Sequence, residues 1–147
     1  MNGPDQAAPS SRGLSPQTIG NVGLYYVCYR LSLAGWNVMP TARNARGVDI
    51  VAYSQDATQT RTIQVKALSR RNPVPLGGDL ERLYGDFVVV CCNAREARPD
   101  CFVLTPKEIR RLAHRGEKDG EVSFWLQPRQ YDKARFREAW KRIGRSG

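Results

Sequence analysis

Long apolar runs are absent from this sequence, so nothing in it approaches the roughly 18–20 residues that a membrane-spanning helix needs. The N-terminus, MNGPDQAAPSSRG, lacks the basic-then-apolar plan of a secretory signal. Gly, Pro, Ser and Ala dominate it without an apolar period. Residues 1–14 therefore read as a flexible tail ahead of one domain over residues 15–147. Histidine is almost missing. His114 stands beside Arg115 with no Cys, Ser or Asp motif pointing to it, and it reads as a surface or packing residue rather than a catalytic base. Cysteine is sparse and follows no zinc-ligand spacing. Cys28, Cys91, Cys92 and Cys101 read as small buried residues of a reducing cytoplasm, with Cys91 and Cys92 on opposite faces of one strand.

Acid is scarcer than base. There are 14 Asp and Glu against 23 Lys and Arg, a formal charge of +9. Arginine supplies most of the excess, and its planar fork donates two hydrogen bonds at once to a phosphate. The balance points to a polyanionic partner, nucleic acid first, with a merely basic surface as the plain alternative. The chain is long enough to bury a real core, and 41% hydrophobic and 25% charged residues are ordinary for a globular protein.

Ser15 and Pro16 give a helix start, since serine caps and proline fits the first helical position. Ile19, Val22, Gly23, Tyr26, Val27 and Leu31 keep helical spacing, and Gly35 ends the element. Strands are expected over 36–41, 48–53, 61–68, 86–92, 101–104 and 121–127. Residues 69–78 and 116–120 read as loop and breaker. Helices are expected over 107–114 and 131–143, the second with Phe136, Trp140 and Ile143 on one stripe. Trp36, Trp125 and Trp140 sit in apolar patterns that favour the core. The sum is an α/β domain with a mixed sheet of about five strands flanked by helices.

Residues 47–68, GVDIVAYSQDATQTRTIQVKAL, carry the chemistry. They read as a hairpin with one carboxylate, Asp49, on its first strand. On the second strand Ile63, Val65 and Ala67 take one face, and Thr62, Gln64 and Lys66 take the other. Pairing of the two strands can bring Asp49 beside Gln64 and Lys66. Phosphodiester hydrolysis needs a cation to neutralise developing charge and a water made nucleophilic. Asp49 offers an anionic oxygen, the Gln64 amide a neutral one, and the Val65 carbonyl a third, which suits Mg²⁺ or Mn²⁺. Lys66 can orient or help deprotonate water and face the phosphate. Arg43, Asn44 and Arg46 just before Asp49, with Arg70 and Arg71 in the loop after Lys66, are candidate phosphate contacts. The plain structural alternative is a cross-strand ion pair between Asp49 and Lys66.

Asp49, fourteen intervening residues and then Gln64-Val65-Lys66, after an N-terminal helix and on successive strands, resembles the PD-(D/E)xK nuclease superfamily. The Gln-x-Lys form is similar to Mrr-like restriction endonucleases. The resemblance covers roughly residues 18–104, and the whole chain is also similar to small bacterial proteins of this superfamily. It implies a restriction-endonuclease-like fold and divalent-metal-dependent cleavage of DNA, less often of RNA. A homodimer fits cutting of both strands of a duplex. Many relatives carry a glutamate on the first helix just after a glycine, where this chain has Leu24. A catalytically weak or inactive module that binds nucleic acid or a protein partner is therefore the second expectation.

Overall fold

The computed structural model describes residues 13–42 and 47–144. The first helix begins where the sequence predicts. The Ser15 hydroxyl accepts the Thr18 N–H at 3.1 Å, Pro16 opens the first turn, and α1 runs Pro16–Leu33. Gly35, at φ +94°, takes the chain out of the helix. Strands β1 (Asn37–Pro40), β2 (Ile50–Tyr53) and β3 (Thr60–Ala67) then form an antiparallel meander. The next segment carries β4 (Val74–Gly77) and a single 3-10 turn at Leu80–Arg82. It delivers β5 (Phe87–Cys92) parallel to β3, and β6 (Asp100–Leu104) returns antiparallel to β5. The central sheet is thus mixed and five-stranded, in the order β1-β2-β3-β5-β6.

Helix α2 (Pro106–Leu112) is closed by a capping box between Thr105 and Glu108. Strands β7 (His114–Lys118) and β8 (Glu121–Leu126) follow, then one turn of helix, α3 (Pro128–Tyr131). β8 lies between β4 and β7 in a second, three-stranded sheet. Among the described residues no helix is long and apolar enough to cross a membrane.

The central sheet is covered on both faces, and strand alternation sorts the residues. Ile63, Val89 and Cys91 face α1 and join Val27, Leu31, Trp36 and Ile143 in one core. Val88, Val90 and Cys92 face the opposite way, into a core with Val74, Leu76, Ile109, Leu126 and Tyr131. All four cysteines are buried and free, and Cys91 and Cys92 do lie in different cores. The second core is built on β5 and β6. Its buried members include no residue of β2 or β3.

Three stretches depart from the sequence expectation. Residues 69–78 contain β4, where buried Val74 and Leu76 alternate with exposed Pro75 and Gly77. Proline is tolerated because β4 is an edge strand. Residues 116–120 are part of a hairpin rather than a helix break. Asp119 and Gly120 have φ of +53° and +79°, the tight-turn geometry that joins β7 to β8. β7 has no apolar period because it is an exposed edge held by main-chain pairing. The helix expected over 131–143 does not form. The chain instead lies along the open edge of β6, with Val103 N–H donating to the Phe136 carbonyl at 2.9 Å and Glu138 N–H to the Cys101 carbonyl at 2.8 Å. Glu138 takes φ +49°, which no helix accommodates, and only Trp140–Ile143 turns as 3-10. Phe136 and Ile143 are buried as the stripe suggested, so the periodicity marked the core but not the helix. Trp36 is buried, but Trp125 is 37% exposed on β8.

Helix α1 crosses β3 at Gly23, where an added Cβ would overlap the Ala67 side chain and touch Cys91. Gly20, one turn earlier, has nothing within 4 Å of the same position. Gly23→Val is expected to lower stability by about 1–3 kcal/mol through overpacking. Gly20→Ala is expected to raise it by about 0.5–1 kcal/mol through helix propensity. Urea denaturation of the two variants checks both signs.

Candidate active site

Asp49 immediately precedes β2, and three hydrogen bonds fix it. Its carbonyl accepts the Thr41 N–H at 2.8 Å and its N–H donates to the Ile63 carbonyl at 2.9 Å. Its carboxylate Oδ2 accepts the Val65 N–H at 2.7 Å. The side chain thereby takes the place of one rung in the β2–β3 ladder. The paired ladder ends at Ile50 and Ile63, and Asp49 N–H donates to the same Ile63 carbonyl one residue out of that register, so the strand is irregular where it carries Asp49. Ile63 faces α1, so Thr62, Gln64 and Lys66 share the other face of β3, and the Asp49 charge acts on Lys66. On this half of the face neither β2 nor β3 gives the second core a buried member.

Main-chain direction on β3 alternates as well. Ile63 and Val65 address the β2 side through their bonds to Asp49, while Thr62 and Leu68 bond to Asp86 and Cys91 on the β5 side. The Val65 carbonyl is consequently turned to the same edge as its N–H, beside Asp49.

Gln64 and Lys66 are half-buried, and each is left without the partner that burial normally demands. The Gln64 Oε1 is buried with no hydrogen-bond partner among the described residues. Such an atom costs stability unless something fills its coordination. Lys66 makes no ion pair or hydrogen bond among the described residues. Burial pushes its pKa below the ordinary lysine value, and the Asp49 charge opposes that shift without cancelling it. The cross-strand ion pair is thus not formed by direct contact among the described residues, and Asp49 acts on Lys66 through its charge alone.

The surroundings hold this corner rigid. Asp86 Oδ2 accepts the Thr62 N–H at 2.8 Å, and the Asp86 N–H donates back to the Thr62 hydroxyl at 3.1 Å. Gly85, at φ +92°, lets its loop approach so closely that an added Cβ would lie 2.9 Å from the Thr62 carbonyl oxygen. This clamp escaped sequence reading, although Gly85-Asp86 ahead of an apolar strand is a recognisable signal for it. Asp86 is therefore engaged, Asp79 accepts the Glu81 N–H at 2.9 Å, and Glu81 is exposed. Leu24 packs against the core on the α1 side of the sheet. Among the described residues no group of three or more His, Cys, Asp or Glu could hold a metal ion.

The donor set at Asp49 is a different kind. It combines one carboxylate, one orphaned amide oxygen and one main-chain carbonyl, all hard oxygens, and it fits a hard divalent cation that retains several waters. Of the candidate phosphate contacts, Arg43, Asn44 and Arg46 lie outside the described residues. Arg70 is exposed on the loop beyond Lys66, whereas Arg71 is tied to Asp132 at 2.6 Å. His114 is exposed on β7 and takes no part.

No protein-family model matches the sequence, and neither does any curated protein. Among solved structures the chain is similar to Hjc, a Holliday junction resolvase from the archaeal hyperthermophile Archaeoglobus fulgidus. The identity is 20%, the match covers 74% of this chain and 90% of that one, and the TM-score is 0.49.

Because the Lys66 pKa is depressed in the folded state, the unfolded chain binds more protons between the folded value and the ordinary lysine value. Stability attributable to this residue therefore rises with pH through that window. Lys66→Met is expected to be at least as stable as the parent at neutral pH, with the difference shrinking as pH approaches the ordinary lysine range. Paired urea titrations at neutral and alkaline pH check this.

Proposed function

We propose that residues 15–147 form one nuclease-like unit of the PD-(D/E)xK type. Its proposed activity is endonucleolytic hydrolysis of phosphodiesters in DNA, dependent on Mg²⁺ or Mn²⁺. The observation that carries this reading is that Gln64 and Lys66 lie on one sheet face, within the influence of the Asp49 charge, with the Gln64 Oε1 buried and unpartnered among the described residues. A core has no use for an orphaned amide oxygen beside a desolvated lysine, and a hydrolytic site has a use for both.

Asp49 and Gln64, with the Val65 carbonyl, would hold the cation, which when bound supplies positive charge for the phosphate and a more acidic water. Asp49 keeps one oxygen on the Val65 N–H, so its other oxygen is the one directed to a ligand. Lys66 sits where burial lowers the cost of its neutral form, which suits it to take a proton from the attacking water. In its charged form it stabilises the extra negative charge of the pentavalent phosphorus. Arg70 and the segment with Arg43, Asn44 and Arg46 are the proposed backbone contacts. Arg71 would first have to leave Asp132. Cleavage of both strands of a duplex would draw on two copies of the site, as in a homodimer.

A second reading has a specific observation behind it. Asp49 is the one carboxylate in the proposed ligand set, and Leu24 is spent on packing. Ligand charge governs hard-metal affinity. A catalytically weak nuclease-fold module that binds nucleic acid or a protein partner without cutting fits that deficit.

Cleavage assays on single-stranded, duplex and branched DNA and on RNA, with Mg²⁺ or Mn²⁺ against EDTA, separate the two. Asp49→Ala and Lys66→Ala are each expected to slow cleavage by about 100-fold or more while the thermal transition persists. Absence of cleavage by the unaltered protein on every substrate overturns the enzymatic reading. Gln64→Glu adds an anionic oxygen and is expected to tighten Mn²⁺ binding measured by calorimetry. Unchanged or weaker binding removes Gln64 from the ligand set.

A further inference from the structure

A cleft of about 530 Å³ opens on the α1 side of the sheet, away from the face of Gln64 and Lys66. The second half of α1, the turn at 93–98 and the 3-10 turn at Trp140 border it, and it is open to solvent. Its volume lies within the roughly 300–1,000 Å³ usual for sites that take small ligands. Tyr26, Tyr29, Leu33 and Trp140 form its walls, with Arg30 and Arg98 at its polar side.

Large apolar surface is left exposed here without service to the core. Tyr29 is 57% and Leu33 67% exposed, one turn apart on α1. The opposite wall is fixed before any ligand arrives. Arg30 lies over the Trp140 ring, 5.1 Å from its centroid, and donates to Glu138 at 3.1 Å and to the Tyr26 hydroxyl at 3.3 Å. Trp140 Nε1 donates to the same Glu138 at 2.7 Å, and Glu138 accepts the Cys101 N–H at 3.0 Å. Glu138 is thereby neutralised by Arg30. Arg98 is exposed and has no ion-pair or hydrogen-bond partner among the described residues, so it leaves an unmatched positive charge at the rim.

We propose that this cleft binds an unstacked nucleobase together with its phosphate, as part of a single strand of nucleic acid. Every base has a π-face, so stacking on Tyr29 and on the Arg30–Trp140 pair tolerates any sequence. Arg98 takes the phosphate through its planar fork. A free nucleotide offers the same chemistry. A strand offers neighbouring phosphates as well, and a chain of net charge +9 attracts the polymer more strongly. This site uses none of the residues assigned to cleavage, and its test needs no metal.

Fluorescence anisotropy of the full chain in EDTA, with a labelled oligothymidylate, tests the assignment. The strand is expected to bind about tenfold more tightly than an abasic strand of equal length. Tyr29→Ala is expected to weaken binding by about tenfold, and Tyr29→Phe to retain it, which a loss of fold would not reproduce. Arg98→Gln is expected to reduce the slope of log affinity against log salt by about 0.7, the share of one phosphate in a single strand. Equal affinity for the abasic strand overturns the proposal, as does parental affinity in Tyr29→Ala. Adenosine monophosphate competing with the same affinity as the strand reassigns the cleft to a free nucleotide and overturns the polymer. Cleavage activity, present or absent, leaves each of these readings intact.

Discussion

The hydrogen bond from the Val65 N–H to the Asp49 carboxylate is the interaction on which the arrangement at the site depends. At 2.7 Å it is a short, charge-assisted bond, of a kind that contributes about 1.5–3 kcal/mol. It replaces a main-chain rung at the point where β2 begins, so the register of the hairpin and the position of the carboxylate are one fact. That oxygen serves the main chain, and Lys66 makes no direct ion pair with Asp49. Because β3 alternates, Gln64 stands on the same face as Lys66, whose charge Asp49 influences. The polar groups are thus held by the sheet itself and not by one another.

The division of labour between the two sheet faces follows. On the α1 side, apolar residues of β2, β3 and β5 give a continuous core, closed at Gly23 by direct contact with β3. On the other side the packing contributed by β4, β8, α2 and α3 rests on β5 and β6. Strand β3 belongs to the first core through Ile63 and presents Gln64 and Lys66 on the opposite face. Burial of these two is enough to depress the lysine pKa and orphan the amide oxygen, yet neither acquires a structural partner. Stability alone would favour apolar residues at both positions.

Alternation made this part legible in the sequence. A period of two in residues 62–67 sorted Gln64 and Lys66 from Ile63 and Val65, and burial of Val65 and Ala67 against the α1 core agrees. The five-stranded mixed sheet, the Ser15 cap and the paired cysteines on opposite faces were legible for the same reason: each depends on local pattern. What escaped depends on contacts distant in sequence. β7 has no pattern because main-chain bonds hold it, β4 hides its alternation among proline and glycine, and residues 132–139 pack as an irregular cover on β6. The Asp86–Thr62 clamp joins residues 24 positions apart. The aromatic cleft requires α1, the turn at 93–98 and Trp140 to meet, which no single stretch announces.

The central claim is that Asp49, Gln64 and the Val65 carbonyl are a ligand set and not a structural accident. Anomalous diffraction from a crystal soaked in Mn²⁺ tests it most directly. The account predicts an ordered ion bonded to the free oxygen of Asp49, to the Gln64 Oε1 and to the Val65 carbonyl, with bonds of about 2.0–2.2 Å. A crystal in which Gln64 instead hydrogen-bonds to the protein, with no ion at Asp49 under saturating Mn²⁺, would contradict it.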